Sequence, residues 1–258
     1  MPRNNGGVNG KLNSITASAS TGIWTLKEQY QNVSSWPAAA LYAFTSMTFG
    51  TPSRGQTGPS LSTLLTSYYD TVTYPWLNNT AYFNMVVNGI QEWTVPISGT
   101  YTIRAAGGAG HWGSATAGTC QGIIIETTGI VLTRGEVLRI IAAGKGSFNT
   151  SGGGGGGTFI WRKASGTSGL IMAAGGGGGG LSSSVTVNAQ TNGQSGTQGG
   201  YSTDGAAGTP GTNGGGGTGA NGGWGGGGAG WLSNGTDATQ LAGTKGYCWS
   251  DATYPAYG

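Results

Sequence analysis

Few of the 258 residues are of types that do chemistry, and those few are scattered. The single histidine, His111, lies in GGAGHWGS. A catalytic histidine needs a nucleophile or a carboxylate set beside it by the fold. The acids are Glu28, Asp70, Glu92, Glu126, Glu136, Asp204, Asp237 and Asp251, and no two stand close in sequence. A carboxylate pair for glycoside hydrolysis would have to assemble in space, with no support from spacing. One histidine and two cysteines, Cys120 and Cys248, cannot supply a structural zinc site. The stretch AAGKGS at 142–147 resembles a phosphate-binding loop but fails it twice. Arg139 stands where the first glycine is needed, and Gly146 follows Lys145 where Ser or Thr is needed; it reads as a turn. No catalytic residue, metal or cofactor is assigned, and an enzyme is not expected.

Charge excludes further classes. Eleven Lys and Arg stand against eight Asp and Glu, and the only adjacent cations are Arg162 and Lys163. A nucleic-acid footprint is therefore missing. No run of about 18 apolar residues offers membrane insertion, and the first twenty residues lack the apolar core of a secretory signal. Cys120 and Cys248 are either two free thiols or a disulfide joining distant parts of the chain.

The remaining composition describes the material that must position any site. Fifty-six glycines and eight prolines make up about a quarter of the chain, yet there are 9 Trp, 11 Tyr and 5 Phe and only 7% charged residues. Disordered chains carry the opposite balance, few aromatics and many charges. An ordered glycine-rich protein is expected. Six-glycine blocks at 152–157 and 175–180, with shorter runs at 214–217 and 225–228, lack the Gly-X-Y period of collagen. Glycine strands in a polyproline-II-like conformation bond nothing internally, but packed side by side they can bond one another. The runs are read as scaffold, with the six-glycine blocks as partners for the later runs.

Three zones separate. Residues 1–40 are a polar leader carrying the anchors Ile23, Trp24, Leu26, Tyr30 and Trp36; residues 41–258 form the main domain, whose 191–247 zone is dominated by glycine. QEWTVPISGTYTIRAAG alternates Trp93, Val95 and Ile97, then Tyr101 and Ile103, and reads as a hairpin. Apolar runs at 123–125, 130–132 and 137–142, broken at Gly129 and Gly135, read as successive antiparallel strands. TFIWR and GLIMAAG add two more. Leu61, Leu64, Leu65 and Tyr68 have helical spacing, which predicts a short helix over one end of a sheet. Trp93, Tyr101 and Trp161 read as core.

The ordered motifs RGQTGPSLSTLLTSYY, GIQEWTVPISGTYTIRAAGGAG, LTRGEVLRIIAAGKG, GGGGGGTFIWR and GLIMAAGGGGGG resemble the glycine-rich extracellular domain of the anaplastic lymphoma kinase and leukocyte tyrosine kinase receptors. The resemblance spans about residues 41–235. It implies an all-β fold: a tumour-necrosis-factor-like antiparallel β-sandwich, or jelly roll, with an inserted bundle of poly-glycine II helices. The sequence shows no kinase domain or membrane span and few cysteines, so no cytokine-binding residues are carried over.

The leader segment TGIWTLKEQYQNVSSWP is similar to N-terminal segments of tailed-bacteriophage structural proteins, cyanophage proteins among them. That resemblance implies a virion protein made in the host cytoplasm and placed in a tail fibre or fibre tip. Its partners would be other virion proteins and a host cell-surface glycan or outer-membrane protein. Ile23, Trp24, Leu26, Tyr30 and Trp36 would then dock the chain onto the virion, or alternatively fold onto its own domain. Tyr201, Trp224, Trp231, Tyr247 and Trp249 are the host-binding candidates, since rigidly displayed aromatics carry much of an interface's energy; packing against the glycine segments is the alternative. By analogy with both families, a homotrimer is expected. A structural virion component without receptor binding is the competing expectation.

Overall fold

The computed structural model describes residues 38–51, 58–110, 121–146 and 154–178, with 215, 217, 218, 230–234 and 236. Contacts divide the chain into two units, Met1–Leu41 and Tyr42–Gly258, and every element below belongs to the second. Seven strands are described: β1 (Phe83–Val87), β2 (Ile90–Thr94), β3 (Gly99–Ala106), β4 (Ile124–Leu132), β5 (Val137–Ile141), β6 (Thr158–Arg162) and β7 (Leu170–Ala174). They form a five-stranded sheet in the order β1-β2-β5-β6-β7 and a two-stranded sheet of β3 and β4, all pairs antiparallel. Among the described residues helix is confined to α1 (Leu61–Ser67) and short 3₁₀ turns, so the fold there is mainly antiparallel β.

The two sheets pack face to face around one core. Phe83, Trp93, Leu138, Ile140, Ile160 and Met172 line one face of the larger sheet, and they meet Ala105 and Leu132, with Ile103, Ile125 and Ile130 half-buried beside them. Alternation accounts for the arrangement, because every second residue of a strand faces the same side. α1 starts at Ser60, whose hydroxyl accepts from Thr63 N at 3.2 Å, a serine N-cap. Leu64 is the helix residue buried in the core. The stretch before it lays Tyr42, Phe44, Met47 and Phe49 on the same core. Buried Gln91 holds that stretch down: it accepts from Tyr69 Oη and donates to Gly50 O at 3.0 Å.

Two expectations about strands are corrected. Trp93 and Tyr101 do not belong to one hairpin, because β2 and β3 lie in different sheets. The chain crosses between layers at Val95–Ser98, and Pro96 removes a donor there. A two-residue hairpin joins β1 to β2 through Asn88–Gly89, with Gly89 at φ 81. The runs 123–125 and 130–132 are not successive strands; residues 124–125 and 130–132 lie in one strand, β4, which continues through Gly129. Tyr101 pairs with Ile130 and Ile103 with Thr127, so Thr102 faces two residues. Gly129, at φ 80, supplies the left-handed position that such a bulge needs.

Past one end of the sheets the strands run into glycine. Segments 107–110, 122–123, 142–146, 154–157 and 175–178 follow or precede β3, β4, β5, β6 and β7 at the same end. They bond one another through their backbones. Gly108 N donates to Gly156 O and Gly177 N to Gly108 O, both at 2.9 Å; Gly155 N reaches Gly177 O at 2.8 Å and Gly156 N reaches Gly144 O at 3.0 Å. Gly146 N donates to Ala109 O, Gly107 N to Ile123 O and Ile123 N to Gly175 O. The described parts of both six-glycine blocks are thus scaffold, partnered by each other and by 107–110 and 144–146. AAGKG is likewise a member of this set, where a simple turn was expected. Side chains are excluded by proximity: a Cβ on Gly108 would fall 2.0 Å from Gly144 O, and one on Gly155 2.0 Å from Gly108 O.

Candidate functional site

Two surfaces carry the chemistry of the described residues. The first is the outer face of the five-stranded sheet. Glu92 on β2 pairs in register with Arg139 on β5, and Lys163 follows directly on β6. Glu92 Oε1 accepts from Arg139 Nε and Nη2, each at 2.9 Å, and Oε2 accepts from Lys163 Nζ at 2.8 Å. The Glu92 side chain is 6% exposed, against 27% for Arg139 and 41% for Lys163. Burial opposes ionisation of Glu92, but the hydrogen bonds and charges of Lys163 and Arg139 outweigh it and hold the carboxyl below its ordinary range. The cluster staples three strands. Arg162 adds a second staple: it pairs with Glu136 and donates from Nη2 to Val131 O on β4 at 3.0 Å, tying the sheets together.

Beside the ion cluster the same face is apolar. Ile90, Ile141, Phe159 and Trp161 form a second buried cluster, and Trp231 covers it. The Trp231 ring lies 5.5 Å from that of Phe159 and 5.4 Å from that of Trp161, edge-on to the latter. Trp231 is 6% exposed. It is therefore removed from the host-binding candidates: a buried ring offers no face to a partner, and its role is to close this side of the sheet.

The second surface is the outer face of the β3–β4 sheet. Thr100, Thr102 and Arg104 alternate there on β3, opposite exposed Val131 (68%), Glu126 and Ile124 (54%) on β4. Arg104 and Glu126 are register partners, yet no salt bridge joins them among the described residues.

Trp93 and Trp161 are buried core residues, as expected, and Tyr101 is half-buried with its hydroxyl on Ile97 O at 2.7 Å. The docking candidates Ile23, Trp24, Leu26, Tyr30 and Trp36 lie outside the described residues, as do Tyr201, Trp224, Tyr247, Trp249, His111, Cys120 and Cys248. Among the described residues no group of three or more His, Cys, Asp or Glu is placed to hold a metal, and no helix is long and apolar enough to cross a membrane. The ion cluster was missed from sequence. Its one signal was charge inside apolar strands (IQEWT, VLRII and TFIWRK), and which charge meets which depends on strand order.

Comparison of the chain with protein-family models and with curated proteins finds no match.

Proposed function

We propose that this chain is a non-enzymatic structural protein of a tailed-bacteriophage virion, a tail-fibre or fibre-tip component that contributes to host attachment. In this reading it is a tumour-necrosis-factor-like sandwich, a jelly roll, carrying a poly-glycine II bundle. The observation that carries the reading is the bonding pattern of the glycine segments. Segment 107–110 bonds to 122–123, 175–177, 155–156 and 144–146, and these neighbours bond in turn: 122–123 to 175–177, 175–177 to 155–156, and 155–156 to 144–146. That neighbours of one segment also bond each other supports hexagonal packing, since on a square lattice they would not touch. Such a bundle is a stiff projection without side-chain bulk, suited to holding an exposed end away from a particle. The leader's resemblance to phage structural proteins supports the same assignment. Attachment would draw on several weak contacts multiplied in a homotrimer. The alternative, a purely structural fibre base, neck, baseplate or capsid component, gains from the burial of Trp231, which removes one host-facing candidate.

Immunogold microscopy of intact virions, with an antibody raised against residues 41–258, tests the proposal. Gold at free fibre ends is expected. Gold confined to neck, baseplate or capsid would leave only the structural reading, and virions without label would sink the assignment.

A further inference from the structure

Among the described residues the two-stranded sheet has two open edges. Among the described residues, neither β3 from Gly99 to Ala105 nor β4 from Ile124 to Ile130 makes a backbone hydrogen bond outside their shared ladder. At Val131 a side chain, Arg162, takes the carbonyl, and at Ala106 the Thr158 hydroxyl does, at 2.6 Å. Unpaired strands of eight and nine residues are templates for pairing with another chain. The charges on them select the partner. β3 carries one charge, Arg104, and β4 carries one of opposite sign, Glu126; both are exposed and neither is in an ion pair. A β3–β3 or β4–β4 pair in the register that sets Arg104 or Glu126 opposite its own copy brings like charges together, which disfavours that register. Pairing β3 with β4 of another copy brings Arg104 to Glu126.

We infer that the β3–β4 sheet is the self-association surface of this chain, and that β3 of one copy pairs antiparallel with β4 of the next. In the register used within the chain, Arg104 of each copy faces the partner's Glu126. Threonines flank it on the same face (Thr100 and Thr102), and they suit a pleated contact between strands. The contact is heterologous, one surface meeting a different one, so it builds a ring where the rotation between copies closes and an open filament where it does not. The expectation of three copies comes from the virion reading; the surface itself does not rest on it.

The test is the mass of the full-length protein by light scattering during size-exclusion chromatography, for wild type, Arg104→Glu, Glu126→Arg and the double exchange. Circular dichroism verifies that each variant folds. Wild type is expected at a multiple of 25.7 kDa. Each single exchange sets like charges opposite one another and is expected to weaken assembly by about tenfold or more, while the double exchange restores it. A monomeric wild type overturns the inference. So does an assembly indifferent to the single exchanges, or a double exchange that fails to rescue. Misplaced immunogold label would sink the virion reading and leave this surface standing, so the two failures are distinguishable.

Discussion

Gly175 and Gly176 stand side by side in one run but face different surroundings. A Cβ on Gly175 would meet nothing within 4 Å, whereas one on Gly176 would lie 2.1 Å from Gly155 O. Backbone cannot swing aside as a flexible side chain can. Gly176→Ala is expected to cost about 3 kcal/mol, lowering the melting temperature by roughly 6–12 °C, and Gly175→Ala under about 1 kcal/mol. Equal effects in thermal denaturation would contradict the close packing. Glu92 gives a pH signature. Its carboxyl is held below the ordinary range in the fold, so its contribution is present above the unfolded value and is lost as pH falls through the folded one. Glu92→Gln is expected to destabilise by about 2 kcal/mol near neutrality, less than the ~3–5 of a fully buried pair because Arg139 and Lys163 are partly exposed. The gap between variant and wild type should close in acid, as read by urea titrations from neutral pH downward. Burial raises the phenols of Tyr42 and Tyr69 well above the ordinary value. Their contribution is complete below about pH 10 and declines as pH rises beyond it; Tyr69→Phe should flatten that alkaline loss.

At the scale of elements, Trp231 is the clearest case. A residue from the glycine-rich zone closes a face formed by β2, β5 and β6. Trp231→Ala is expected to cost about 3 kcal/mol in chemical denaturation, as large-to-small changes in a core do. A variant of unchanged stability would return this ring to the list of contact candidates. Gly129 acts differently: it has open space around it but a φ of 80, so its requirement is conformational. Substitution there strains β4 at the bulge even though no atom is in the way.

The described residues of the second unit join a conventional two-sheet core to glycine segments that leave it at one end. Peptide groups provide the contacts in those segments, and Gly108, Gly155, Gly156 and Gly177 are buried donors within them. Amide exchange measured by NMR should find these four glycines protected to the same order as β2. Exchange at the rate of free peptide would mean that the runs are linkers after all. Self-association through β3 and β4 belongs to this scale too, since it uses edges that the described residues of one copy leave open.

The sequence by itself determined what is local. Short apolar runs marked β6 and β7, helical spacing marked α1, and apolar strand residues such as Trp93 and Trp161 announced the core. Abundant glycine beside abundant tryptophan already argued against a floppy chain. Tertiary structure alone decided which strands share a sheet. QEWTVPISGTYTI looks like a hairpin because alternation is read along one strand and says nothing of the neighbour; the break at Val95–Ser98 fits a turn and a layer crossing equally well. Gly129 was read as an interruption because composition cannot tell a bulge from a loop. Charge pairing among Glu92, Arg139 and Lys163 depends on strand order, so no spacing could reveal it. The same holds for the glycine segments. Their sequence permits close backbone approach, and only the common direction in which five strands end brings them within hydrogen-bonding distance of one another.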